Sequence, residues 1–274
     1  RSTPKPSSAA SDVYKRQGVC DGISECRRAV RTQIKYGADH IKYVATGGVL
    51  SITATGTEQQ FTDEEQIALV QAAHAMGRKV AAHAHGKTGM MTALRAGVDS
   101  IEHGSYLDEE VANLFVQTGA YLVPTLIAGH TVERIASEQP DFYLPEVRLK
   151  ALEVGPIMRN ALRIAYETGV KIAYGTDAGV NDHGTNAYEA VLMNEAGIGE
   201  RDILISATIS SADLIGITDI TGTIEANKDA DIVAYNGNPL DDISVLLQPV
   251  FVMARGNEVN LDVPPIDMFP WPEL

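Results

Sequence analysis

Only two cysteines, Cys20 and Cys26, occur in the 274 residues, so nothing suggests a disulfide scaffold. If both lay on one helix they would be separated by roughly 9 Å along its axis, beyond normal disulfide reach. Cationic residues are also few: 22 Lys+Arg stand against 36 Asp+Glu, for a formal net charge of -14. Such a surface repels phosphate backbones and anionic lipid, which argues against nucleic acid and membranes as partners. No apolar run approaches the ~20 residues of a membrane span. The longest, from Ala120 to Ala128, contains Pro124. Neither a GxGxxG nor a P-loop lysine motif follows any apolar segment, which argues against a nucleotide-binding sheet. What is present is an ordinary globular composition, 45% hydrophobic and 21% charged, enough at 29.4 kDa for one large α/β domain or two smaller ones.

Residues 1–17, RSTPKPSSAASDVYKRQ, are Ser/Pro-rich and basic and have no apolar period. They lack the continuous apolar stretch of a secretory signal and read as a tail foreign to the rest of the chain. Patterned sequence starts near Gly18, so the native N-terminal part is expected to be missing, and any targeting segment with it. Localisation is left unassigned, with the cytoplasm as the default expectation.

From Gly18 a helix-then-strand rhythm sets in. Cys26, Ala29, Val30 and Ile34 recur at helical spacing over Ser24 to Tyr36, and a strand follows from Ile41 to Thr46. Thr62 and Glu65 form a capping-box pattern for a helix reaching Met76, before the strand Val80 to His83. Two more units pair Thr88–Arg95 with Val98–His103, and a helix capped by Asp108 with AYLVPT. A looser segment holding Pro140, Pro145 and Pro156 precedes the fifth unit, a helix over Met158–Glu167 and the strand VKIAYGTDAG. Five such units with near-continuous apolar strands predict parallel strands covered on both faces. The arrangement is either an open doubly wound sheet or a closed (β/α)8 barrel. Ligand-capable residues at the end of strand after strand favour the TIM-type barrel, here partial, over residues 18–217. Beyond it, DIVAYN, PVFVMA and NEVN are short and turn-separated, and read as antiparallel hairpins of a small β-sandwich portion over 218–274.

Four strand-end residues form the chemical constellation: Lys42, His83, His103 and Asp177. Each alone has a bland account, as a lysine reaching water, a hydrogen-bonded core histidine or a turn aspartate. Together at the mouth of a barrel they would crowd charge into a water-poor pocket, and a divalent metal resolves that. Neutral imidazoles and a carboxylate suit Zn²⁺. A lysine joins such a site once its amine has taken up CO2 as a carbamate, which can bridge two ions. Two such ions hold a hydroxide and polarise a carbonyl, while Asp177 takes the proton and passes it to the departing nitrogen. His85 is expected to orient a ligand or touch substrate, and His183, Tyr106 and Tyr121 to contact substrate from the same carboxyl face. His40, His74 and His130 read as structural or surface residues.

At these residues the chain resembles the amidohydrolase superfamily, in its imidazolonepropionase-like and Xaa-Pro dipeptidase (prolidase) branch. The matching stretches are GADHIKYVATGGV, VAAHAHG, GVDSIEHG, LVPT, YGTDAG and GTIEANKDADIVAYNGNPLDDI, covering nearly everything from Gly18 to about Val259. The resemblance implies that the strands present are about the fourth to eighth. It makes Lys42 the carboxylated bridging lysine of a two-zinc site, His83 and His103 metal ligands, and Asp177 ligand and proton shuttle. It further implies hydrolysis of a C–N amide bond in Xaa-Pro dipeptides or N-acyl amino acids, with homo-oligomerisation left open. Two departures stand out. The family's first-strand His-x-His pair has no counterpart, and Asn227 replaces the usual turn glycine. Alternatives are cyclic-amide hydrolysis, a Schiff-base role for Lys42 as in aldolases, or an inactive fragment lacking the His-x-His ligands. An arc of five units exposes parallel strand edges, so the isolated chain is expected to be unstable or to aggregate.

Overall fold

A computed structural model describes residues 18–52 and 56–262. The tail at 1–17, set apart in the sequence, lies outside the described residues, as do 53–55 and 263–274. The barrel portion runs α1 (Ile23–Lys35), β1 (His40–Val44), α2 (Asp63–His74), β2 (Lys79–Ala84), α3 (Lys87–Ala96), β3 (Ser100–His103), α4 (Glu109–Thr118) and β4 (Tyr121–Val123). It continues with α5 (Leu126–Glu138), α6 (Pro145–Thr168), β5 (Lys171–Ile172), α7 (Tyr188–Glu195), α8 (Glu200–Ile205) and α9 (Ser211–Ile215).

The helix boundaries follow their capping chemistry. At α2, the Glu65 N–H donates to Thr62 Oγ1 at 3.3 Å while Glu65 Oε2 accepts from the Thr62 N–H at 2.8 Å. The other oxygen of Glu65 accepts from Gly22 N–H at 2.6 Å, which ties the entry of α1 to that of α2. Asp108 caps α4 through Val111 N–H at 3.1 Å, and Gly119 ends that helix at φ 75.

Two sequence expectations need correcting here. Cys20 and Cys26 are joined in a disulfide, because α1 starts only at Ile23 and the turn at Gly22 folds Cys20 back to a Cα separation of 5.0 Å. The segment with Pro140, Pro145 and Pro156 is not loose but forms α5 and the 24-residue α6. Pro145 occupies the first turn of α6, where a missing N–H costs nothing. Pro156 removes one interior hydrogen bond, yet the helix runs through it, and α5 packs closely against α6 at small residues. A Cβ on Gly129 would meet Met158 Sδ at 2.5 Å, and one on Gly155 would meet Glu133 Oε2 at 2.5 Å.

Five parallel strands pair in the order β1-β2-β3-β4-β5. A doubly wound sheet reverses its strand order at a switch point; this one never does, so the five strands form an arc of a barrel. Alternate residues separate its two faces. Ile41, Val80, Ala82, Ile101 and Leu122 are buried against the helices with Met90, Leu94, Phe115 and Leu162. On the inner face Tyr121, Val123 and Ala173 pack with Leu214 of α9, whereas Lys42 and Val44 on β1 are exposed. A separate antiparallel sheet follows, β6 (Ile232–Tyr235), β7 (Pro249–Ala254) and β8 (Asn257–Glu258). Among the described residues, no helix is long and apolar enough to cross a membrane.

Phe115 is fully buried, while its neighbour Val116 is 50% exposed. Phe115→Ala should therefore destabilise the chain by about 3–5 kcal/mol, and Val116→Ala should lie within about 0.5 kcal/mol of the parent. Urea denaturation followed by circular dichroism measures both, and equal losses would contradict the packing described.

Candidate metal centre

The centre is assembled at the carboxyl ends of the strands, and two different backbone devices aim its side chains. On β2 the simple alternation suffices: His83 and His85 are two residues apart and therefore share the inner face. On β3 it does not. His103 has the parity of Ile101, which is wholly buried against the helices, so continued pleating would aim its ring the same way. Instead His103 adopts φ 76, followed by Gly104 at φ 63, and this left-handed turn redirects the imidazole. Thr125 at the end of β4 (φ 47) and Asp177 after β5 (φ 49) are also left-handed. Such backbone is unfavourable for residues with a Cβ and is held only where the surroundings impose it.

Three imidazoles converge. Ring centroids are 4.7 Å apart for His83 and His85, 4.5 Å for His83 and His103, and 4.9 Å for His85 and His103, which stack at 11°. One nitrogen from each lies within 4.8 Å of the others. Each ring is anchored from behind: His85 Nδ1 pairs with Ser105 Oγ at 2.7 Å, and His103 Nδ1 with Thr125 Oγ1 at 2.7 Å. His83 is held by a backbone hydrogen bond at Gly47. The Nε2 atoms of His83 and His103 are buried and have no hydrogen-bond partner.

Burial is the main force on their protonation. It pushes His83 down to about 4, with the Lys42 charge adding to the shift and Asp177 opposing it. Burial and the neighbouring His83 push His85 down to about 3. His103 is held well below the usual histidine range by burial, then by His85, His83 and Lys42. Three neutral imidazoles, each fixed at one nitrogen, two of them presenting a bare buried Nε2, form a donor set that fits a divalent ion such as Zn²⁺.

The charges of Lys42 and Asp177 act on His83, and Asp177 is not among the three residues whose ligand atoms lie within 4.8 Å of one another. Both are exposed. Sequence reasoning passed over Glu102, which pairs in register with His83 on the inner face and accepts a hydrogen bond from Ser100 Oγ at 2.7 Å. Burial raises its carboxyl above the usual range, with Lys42 opposing. Strand parity was the signal that could have found it, because Glu102 alternates inward where His103 does not. The sequence favoured His85 as an orienting or substrate residue over a direct ligand, and the structure places it within the trio.

The substrate candidates divide. Tyr106 lies on the carboxyl side, two residues beyond Gly104, its N–H on His85 O at 3.1 Å and its hydroxyl donating to Glu153 of α6 at 2.7 Å. His183 is exposed in the loop between β5 and α7. Tyr121 does not flank the same face: it is the first residue of β4, at the opposite end of the sheet, with its hydroxyl on Asp213 Oδ2 at 2.5 Å. The apolar segment around AYLVPT places Pro124 and Thr125, not Tyr121, at the mouth.

A family model described as the amidohydrolase family matches residues 3–260. Ochratoxinase of Aspergillus niger is 35% identical over 233 residues, which are 84% of this chain and 48% of that protein. A solved Xaa-Pro dipeptidase with methionine bound in the active site matches with a TM-score of 0.85 at 48% identity, covering 88% of this chain and 59% of that one. A prolidase complexed with N-methylphosphonate-L-proline matches at 0.81 and 31% identity, covering 95% of this chain and 65% of that one. The chain thus spans about half the length of the ochratoxinase it matches.

The depressed histidines make the metal-free chain acid-sensitive. An unfolded histidine titrates near 6.5, above the folded values of about 4 for His83 and about 3 for His85. The unfolded chain therefore binds more protons in that window, so stability is full above about pH 6.5 and falls as pH drops below it. Urea midpoints of the metal-free chain should decline between about pH 6.5 and about pH 4. His103→Gln should make that decline shallower, and an unchanged slope would contradict the protonation states assigned here.

Proposed function

The chain belongs to the amidohydrolase family, and from that premise we propose that it forms the strand-end portion of a metal-dependent hydrolase cleaving a C–N amide bond. The observation that supports this most directly is the pair of buried, unpartnered Nε2 atoms on His83 and His103, on rings kept neutral by burial. In this reading His83 and His103 hold the ion, with Lys42, as its carbamate, and Asp177 completing the donors from the neighbouring strand ends. His85, stacked on His103 and tied to Ser105, steadies that ring and faces the substrate. A bound divalent ion supplies Lewis-acid polarisation of the scissile carbonyl and lowers the pKa of water.

The chain's own groups supply the rest of the chemistry. Asp177, left-handed and exposed, its charge acting on His83, takes the proton from the attacking water and returns it to the departing nitrogen. Tyr106 and His183 border the carboxyl face, where the substrate would lie. A Xaa-Pro dipeptide or a related N-acyl amino acid is the substrate we favour. That choice rests on the likeness to a Xaa-Pro dipeptidase and to a prolidase holding a proline phosphonate.

Activity should appear on Xaa-Pro dipeptides or N-acyl amino acids, disappear on chelation and return with Zn²⁺; turnover confined to cyclic amides would overturn the substrate class. Asp177→Asn should lower kcat by about 10²–10⁴-fold while metal content, read by atomic absorption, is largely retained. A parental kcat in that variant would refute the proton-shuttle role.

A further inference from the structure

One of the three histidine anchors depends on a backbone conformation that its own residue resists. Thr125, whose hydroxyl meets His103 Nδ1 at 2.7 Å, is β-branched and sits at φ 47 and ψ 44. That left-handed region is costly for a β-branched residue. Thr125 is also the N-cap residue of α5, yet its side chain makes no capping bond there. The first N–H groups of α5 still need acceptors. They find them on a helix more than sixty residues away: Glu189 Oε1 accepts from Leu126 N–H at 2.8 Å and Oε2 from Ile127 N–H at 2.7 Å.

Glu189 has no accessible surface, and no cation pairs with it among the described residues. Burial pushes its carboxyl up to about 8, and the two backbone donors at the positive end of α5 oppose that rise. The same first turn of α7 also grips the strand end that leads to Asp177. Tyr174 donates its hydroxyl to Asn186 O at 2.7 Å and accepts from Ala190 N–H at 3.0 Å, and Asn186 Nδ2 donates to Thr176 Oγ1 at 2.8 Å. The start of α7 thus bridges the loops that present His103's anchor and Asp177.

We infer that Glu189 is a positioning residue: by capping α5 from α7 it holds Thr125 left-handed and so fixes His103 with its Nε2 free for the centre. The inference rests on the metal reading above. Its test uses Co²⁺ as the probe, with affinity measured by chelator competition and geometry by the visible absorption bands. Glu189→Ala and Thr125→Val should each weaken Co²⁺ binding by about 10–100-fold, as loss of a group behind a ligating histidine does. Both should shift the bands alike, and the double variant should lose little more than either single one. Glu189→Gln, which keeps one acceptor and serves if the alanine variant does not fold, should lose less. Phe115→Ala, destabilised elsewhere, should melt lower with Co²⁺ affinity unchanged. If Glu189→Ala or Glu189→Gln lowers only the melting temperature and leaves affinity and bands as in the parent, the inference is overturned. If the parent itself takes up no Co²⁺, the metal reading fails separately. The ¹⁵N shifts of His103 in the metal-free chain then decide the positioning: a tautomer changed by both Glu189→Gln and Thr125→Val supports it, and an unchanged one overturns it.

Discussion

The left-handed turn at His103 brings together what strand pleating alone would separate. With extended backbone, the ring would follow Ile101 into the apolar layer beneath the helices, where an imidazole has no partner. Reversing the phase at the last residue of β3 places it beside His83 and His85 and within reach of the Thr125 hydroxyl. The remainder of the mouth is organised around maintaining that reversal. Gly104 tolerates φ 63 and lies so close to Leu122 that a Cβ there would meet its Cδ1 at 2.6 Å. Thr125 carries its own strained backbone, and the start of α5 is held by a carboxylate from α7.

The electrostatics of the inner face follow from the same crowding. Three imidazoles packed at 4.5–4.9 Å between centroids cannot all be charged, and burial keeps them neutral. Neutral rings anchored at one nitrogen retain a lone pair on the other, which is the state a metal ion requires. Lys42, Glu102 and Asp177 surround this neutral centre with ionisable groups whose charges act on it and on one another. The overall excess of acid, -14, belongs to the surface as a whole and says nothing of this local balance.

Much of this architecture was legible in the linear order. Helix caps at Thr62 and Asp108, glycine stops, and apolar strands of short length are local signals, and the structure places elements where they point. Where expectation failed, the exact start of an element or its packing decided the outcome, and composition does not encode either. The segment holding Pro156 reads as loose, but α6 runs through it and packs closely against α5 at Gly129 and Gly155. Cys20 seemed out of reach of Cys26 only on the assumption that one helix carried both. Tyr121 was assigned to the wrong end of the sheet because β4 begins at that residue, and register, not the apolar run, determines which end of a strand a side chain occupies.

The order of residues by itself determined the helix-strand alternation, the presence of ligand-capable side chains at successive strand ends, and the membership that their motifs imply. These are encoded within a few residues of one another, where periodicity and capping act. The tertiary structure alone decided which of those side chains meet. His85 enters the trio, the charges of Lys42 and Asp177 act on His83, and Glu102 lies in the same layer, because backbone phase and inter-strand register set direction. The carboxylate that holds the mouth, Glu189, is invisible to any local pattern: its value comes from two N–H groups more than sixty positions earlier, brought to it only by folding.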